Sequence, residues 1–296
     1  MIAGSLEEAL TALAAGARPV AGGTDLVVGA RQGKAPLPTS LVAIDRLAEL
    51  TQIEPTDGGI RIGASVTHAR LLTDPTIVSN YTALADAAAL VGSPSTRNVG
   101  TLGGNVMNAS PAMDTGAPLM VLGAVAKVQS ERGSRTVDLS DLWTGPGQTS
   151  AKVDELCVAI DLPSRPARSG SAYVRLEYRR AMEIAVVGAA ASVTLADDGT
   201  ISDGSVALSA VAPTIIEVDG VAEIMAGHLS DAVGAAIAAA AAEAAEPISD
   251  LRASDSYRRH TVGVMAARAV DAAARRAAGE EISVPVNRAI GVGASR

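Results

Sequence analysis

The chain has no phenylalanine, one tryptophan and four tyrosines among its 296 residues, so its core has to be built from Ala, Val, Leu and Ile. It carries one cysteine, Cys157, and three histidines, His68, His228 and His260. A single thiol excludes a disulfide framework, and an iron–sulfur cluster needs about four thiolates, so the chain cannot hold one by itself. The histidines and the cysteine follow no metal-ligand spacing, and no metal site is expected. Basic residues are the minority, 24 Lys and Arg against 32 Asp and Glu, for a net charge of −8. Binding to a phosphate backbone needs a basic surface, so no nucleic-acid partner is expected. No run reaches the roughly 20 apolar residues that span a bilayer. The alanine-rich stretch 232–245 is interrupted by Gly234 and Glu243. The first residues lack the basic-then-apolar layout of a secretory signal. These absences predict a soluble, cytoplasmic protein without a membrane span.

What is present is ample apolar material, 48% of residues against 19% charged. The length suggests two domains, at roughly 100–200 residues each. Ser5-Leu6-Glu7-Glu8 reads as a capping box opening a helix that Gly16 ends. Pro19 to Ala21 and Leu41 to Ile44 read as strands, and Ile53 to Ile62 as a hairpin turning at Asp57-Gly58. Helices are predicted from Thr67 and over 82–91. Residues 92–118 are dense in Gly, Ser, Asn and Pro and read as irregular. Strands are expected over 121–129, 135–139 and 155–162, with a domain boundary in 163–170. Strands over 172–178, 185–195 and 206–211 then form an antiparallel meander. Helices over 230–245 and 255–278 follow, which describes an α+β domain.

Two glycine pairs stand out, separated by about 80 residues. In Val20 to Leu26 a strand ends in Gly22-Gly23, a turn that can bring backbone N–H groups up to an anion. Thr24 adds a hydroxyl, and Asp25 can accept from a ribose or tie the loop. The bland reading is an ordinary Gly-Gly turn. In Asn98 to Asn105 the pair Gly103-Gly104 again sits beside Thr and Asn, with a surface loop as the bland reading. Neither matches the common dinucleotide or phosphate-loop motifs. Asn108 to Asp114 offers Asp114 to a ribose or phosphate-side group, or merely an Asx turn. Tyr173 to Ile184 is basic, with Arg175, Arg179 and Arg180 beside Glu177 and Glu183, and its bland reading is a solvated strand face. Two glycine loops that converge could hold one pyrophosphate.

The segments AGGTDL, TLGGNVMNASPAMD, DELCVAIDLP and YVRLEYRRAMEIAVVGAA together resemble the FAD-binding medium subunit of the molybdenum hydroxylases, the xanthine and carbon monoxide dehydrogenase family. The resemblance runs over nearly the whole chain. It implies an α+β fold, a two-lobed FAD-binding domain of the vanillyl-alcohol-oxidase-like type followed by a smaller α+β C-terminal domain of antiparallel sheet plus helices. The lobes would cover residues 1–53 and 54–165, with FAD between them, and the C-terminal domain residues 170–296.

Carried over by position, Pro19, Val20, Ala21, Gly22, Gly23, Thr24, Asp25 and Leu26 resemble the first pyrophosphate loop. Thr101, Leu102, Gly103, Gly104 and Asn105 resemble the second. Ser110 and Asp114 fall in the segment that contacts FAD. Val91 stands where relatives place an aromatic near the adenine, leaving apolar contact in place of stacking. Cys157 falls where the backbone lies beside the cofactor, so its thiol is expected to be idle. Arg175 matches a lysine near the flavin, and Glu183-Ile184 an acidic-aliphatic pair at the isoalloxazine edge. Trp143 and the tyrosines are the only rings left for stacking. The resemblance also implies partners: a small subunit with 2Fe-2S clusters and a large molybdopterin subunit, assembled as a dimer of heterotrimers. No catalytic residue is assigned here, because flavin electron transfer needs no acid–base pair. The competing readings are a self-contained FAD-dependent reductase or oxidase and a flavin-storage protein. Valine at Gly23 or at Gly103 is expected to abolish cofactor binding while leaving the chain folded.

Overall fold

In the computed structural model, which describes residues 1–33, 35–179 and 181–290, the Ser5 hydroxyl accepts from the Glu8 amide at 3.1 Å and opens the helix Leu6–Ala14. The Glu8 carboxylate reaches back to the Gly4 amide at 2.7 Å, one residue beyond the usual partner in a capping box. Gly16, at φ +91°, follows the helix end. Two compact units result, the first comprising Met1–Arg70, Pro94–Ala109 and Ala124–Ser164, the second Leu71–Ser93, Ser110–Gly123 and Arg165–Arg296.

In the first unit, Arg18–Val20 pairs in parallel with Leu41–Ala43. Ala3 and Met1 also bond to Ala43, so the first residues lie along that strand. The helix Leu6–Ala14 buries Ala9, Leu10, Ala12 and Leu13 in a small core with Val42, Ile44, Leu47 and Leu50. An antiparallel sheet of five strands runs Ile53–Thr56, Gly59–Gly63, Leu156–Pro163, Val125–Ser130, Gly133–Asp138. Arg61 and Asp161 face each other across two of these strands and close a two-pronged ion pair, 2.7 and 2.8 Å.

The second unit is built on Ser169–Leu176, Val187–Leu195, Ile201–Ser209 and Ile216–Glu217, an antiparallel meander in chain order. The helices Asp231–Ala244 and Asp255–Ala277 belong to the same unit, each capped by a serine, Ser230 and Ser254. Its core is almost wholly Ala, Val, Leu, Ile and Met, as the missing aromatics require. Asp86, fully buried, ties the unit together: Arg276 donates to it at 2.6 Å, and the amides of Tyr173 and Val286 at 3.1 and 2.8 Å.

Two expectations are corrected. Residues 92–118 are not irregular: they contain the helices Pro94–Arg97, Leu102–Asn108 and Gly116–Val121. Helices of four to seven residues are too short to display an apolar period. The same error gave a strand from Val121; that residue ends a helix, Gly123 turns at φ +68°, and the strand starts at Val125.

Candidate cofactor site

The first glycine pair joins a strand to a helix. Gly23 sits at φ +66°, a left-handed conformation that side chains disfavour, and caps the helix Thr24–Arg31 with no side-chain hydrogen bond. A helix leaves its first amides without intrahelical acceptors. With no cap, those of Thr24, Asp25 and Leu26 point outward with the positive end of the helix dipole behind them. This is the arrangement that anions seek. Pro19 and Val20 lie on the strand leading in, and Ala21 in the turn.

The second pair behaves differently. Thr101 caps the helix Leu102–Asn108, its hydroxyl accepting from the Gly104 amide at 3.1 Å. The amides of Leu102 and Gly103 donate to the carbonyls of Val66 and Ala64, both at 2.9 Å. Gly103 is buried, and a Cβ there would stand 2.5 Å from the Ala64 Cβ. Its lack of a side chain serves the protein's own packing. Gly104 is exposed beside it, and Asn105 is half-buried.

Within the first unit the first pair packs against Val99-Gly100, the residues that lead into the second loop. A Cβ on Gly22 would collide with the Val99 carbonyl, and it would lie 3.0 Å from the Gly100 nitrogen. His68, which sequence reasoning passed over, joins them. Its amide donates to the Gly100 carbonyl at 3.0 Å, its ring is 1% exposed, and its Nδ1 has no hydrogen-bond partner. A lone histidine at a helix start carries no motif, so only the fold exposes it.

In the second unit, Asp114 and Arg175 form a buried polar cluster. Arg175 donates to Asp114 at 2.7 Å and to Glu177 at 2.8 Å, and the Tyr173 hydroxyl donates to Asp114 at 2.9 Å. Burial works against the Arg175 charge, but Asp114, Tyr173 and Glu177 outweigh it and raise its pKa. Burial and the Asp114 charge push the Tyr173 phenol well up, so it serves as a donor. The reading of this stretch as a solvated face is therefore corrected for Arg175 and Glu177, while Arg179 is exposed. Arg180 lies outside the described residues.

Val91 ends the helix Thr82–Leu90 half-buried, Ser110 accepts from the Ala112 amide at 3.3 Å, and Ile184 is exposed beside Glu183. Cys157 is buried in a strand, and burial pushes its thiol up to about 12. Trp143 is committed to the core, donating to the Val106 carbonyl at 3.0 Å, and Tyr81 and Tyr173 are buried. That leaves Tyr178 and Tyr257 as exposed rings among the described residues. Also among those residues, no three His, Cys, Asp or Glu stand together to hold a metal, and no helix is long and apolar enough to cross a membrane.

Residues 1–165 match the family model described as the FAD binding domain in molybdopterin dehydrogenase, and residues 172–273 that of the CO dehydrogenase flavoprotein C-terminal domain. The chain belongs to this family of FAD-binding subunits. It is 32% identical to the putative xanthine dehydrogenase FAD-binding subunit of Escherichia coli (strain K12), covering 94% of this chain and 96% of that one. It is 34% identical to the 6-hydroxypseudooxynicotine dehydrogenase complex subunit alpha of Paenarthrobacter nicotinovorans, over 94% of each. A chain of the crystal structure of Cu,Mo-CO dehydrogenase in its cyanide-inactivated form superposes with a TM-score of 0.88 at 29% identity, covering 93% of this chain and 96% of that one. Family membership makes FAD the ligand against which the glycine pairs are to be judged. The first pair fits a diphosphate, with uncapped amides at a helix start, whereas the amides of Leu102, Gly103 and Gly104 are already bonded within the protein.

Proposed function

We propose that this chain is the FAD-carrying electron-transfer subunit of a heteromeric molybdenum hydroxylase, with the FAD diphosphate on Gly22 to Leu26. The observation that carries the placement is the uncapped start of the Thr24 helix, with Gly22 packed against Val99-Gly100, the residues that lead into the Thr101 to Asn105 segment. Thr24 supplies a hydroxyl and Asp25 an acceptor for the ribose side. Thr101 and Asn105 hold the neighbouring backbone in register. Within the same unit, the backbone at Cys157 would serve the remainder of the cofactor. Bound FAD supplies the redox chemistry, exchanging electrons in pairs or singly; the protein binds, orients and tunes it.

With one thiol, the chain itself cannot house the clusters that feed a flavin in such an assembly. The reading therefore includes a small iron–sulfur subunit and a large molybdopterin subunit, two such heterotrimers forming the complex in the cytoplasm. Hydroxylation of the substrate belongs to the large subunit. The reading divides the chain at residues 53 and 165–170, two FAD lobes and a C-terminal domain.

Gly23→Ala tests the placement. Its Cβ meets nothing closer than 3.4 Å, so the change strains the turn without a clash. It should cost about 1–2 kcal/mol of stability and weaken FAD binding in a chain that stays folded. Unchanged FAD affinity would put the diphosphate elsewhere. Co-expression with the two partner types should give one complex containing iron, molybdenum and flavin; turnover of an organic substrate by this chain alone would favour the self-contained flavoenzyme.

A further inference from the structure

We propose that His68 is a diphosphate-binding residue, its Nε2–H donating to a phosphate oxygen of the dinucleotide seated on the uncapped start of the Thr24 helix. The inference rests on the FAD reading of that loop and adds a contact which no glycine motif supplies. Three observations carry it. His68 lies beside the loop: its Cδ2 is 3.5 Å, and the Thr24 hydroxyl 3.7 Å, from the point a Gly100 Cβ would occupy. Cδ2, the carbon bonded to Nε2, is the ring atom nearest to that point. The side chain is 1% exposed, and Nδ1 is buried without a partner. A buried N–H left unpaired is rarer than a buried acceptor left unpaired. In a neutral imidazole one nitrogen carries the proton and the other a lone pair, so the bare nitrogen is Nδ1 and the donor is Nε2.

Neutrality of the ring follows from its surroundings. Burial, and then the Arg97 charge, lower its pKa to about 4. A neutral donor with no protein acceptor is completed by an oxygen-rich anion, and the helix start beside it attracts one. A side chain at Gly100 would press on the Thr96 carbonyl at 3.1 Å and stand within 4 Å of both the ring and the Thr24 hydroxyl.

The experiment measures FAD, ADP and riboflavin affinities for the full-length chain and for His68→Gln, His68→Asn and His68→Leu. Glutamine can place an amide donor where Nε2 stands, whereas asparagine can place one only at the Nδ1 position. FAD and ADP should lose affinity by the same factor, about 10- to 100-fold, in the leucine and asparagine variants. His68→Gln should restore most of it, and riboflavin, which has no phosphate, should be unaffected. Long-range proton–nitrogen NMR of the wild-type chain gives a second reading that needs no variant to fold. With three histidines to assign, His68 should show its proton on Nε2 and should move when ADP is added. FAD and ADP affinities in the leucine variant unchanged from those of the wild-type chain, an equal loss for riboflavin, or an Nε2 signal that bound ADP leaves in place would overturn the proposal. A wild-type chain that binds neither ADP nor FAD would instead overturn the FAD reading beneath it.

Discussion

Gly103 and Gly104 are one letter repeated in the sequence and two different residues in the fold. The expectation that valine at Gly103 spares the fold is wrong, because a Cβ there meets the Ala64 Cβ at 2.5 Å and its carbonyl oxygen at 2.7 Å. Gly103→Ala should cost about 1–3 kcal/mol by overpacking. At Gly104 the nearest atom is the movable Thr101 hydroxyl, so alanine there should cost less. Urea unfolding of the two variants measures the difference, and equal midpoints would contradict this packing. Arg175 makes the same point for charge. Its partner Asp114 is 61 residues away, so nothing local in the sequence distinguishes it from exposed Arg179. Acid stability also lives at this scale. His68 titrates at about 4 in the fold against 6.5 in an unfolded chain, because of burial and Arg97. Over that window the unfolded chain binds a proton the folded chain refuses, so stability should fall as pH drops from 6.5 toward 4. The Arg135 hydrogen bonds hold Glu155 at about 2 against 4.5, a contribution present above 4.5 and lost on acidification toward 2. His68→Gln should flatten the upper part of the stability–pH curve and Glu155→Gln the lower part. A curve that neither variant changes would refute the assignment.

Elements with a cap and a sustained apolar face were legible, and short ones were not. Ser5 announces a helix that forms, and the helices expected over 230–245 and 255–278 form with Ser230 and Ser254 as their caps. The helix Leu102–Asn108 is announced only by Thr101, a cap read instead as part of a loop. Thr101→Ala should cost about 1 kcal/mol and unseat the backbone behind the first glycine pair; thermal unfolding of the cofactor-free chain checks the first part. Most strands were located, with the start at Val121 wrong and the strand expected over 206–211 running Ile201–Ser209, because β-branched runs bounded by turn signals mark them, as at Asp57-Gly58. The long C-terminal helix shows what an alanine-rich core permits. Gly263 lies so close to the Ala238 carbonyl that a Cβ would collide with it. Gly263→Ala should destabilise the chain by about 1–3 kcal/mol although alanine is the better helix former. A stabilised variant would mean that the two helices stand further apart.

At the scale of the whole molecule, the sequence showed which cofactor to expect but not which residues meet. Leu71–Ser93 and Ser110–Gly123 cluster with the C-terminal residues, through pairs such as Asp86 and Arg276 that stand 190 positions apart. Such contacts leave no trace in local pattern. That the first glycine turn meets the start of the second loop, at Val99 and Gly100, agrees with the expected approach of the two loops; that one has open amides and the other has its amides spent was not anticipated. The central claim remains that the chain carries FAD on a diphosphate site. Its most direct test is the identity and amount of flavin on the purified full-length chain after acid precipitation. The account predicts FAD in the supernatant at close to one per chain. Flavin retained in the pellet, FMN in its place, or a colourless chain that takes up no added FAD would contradict it.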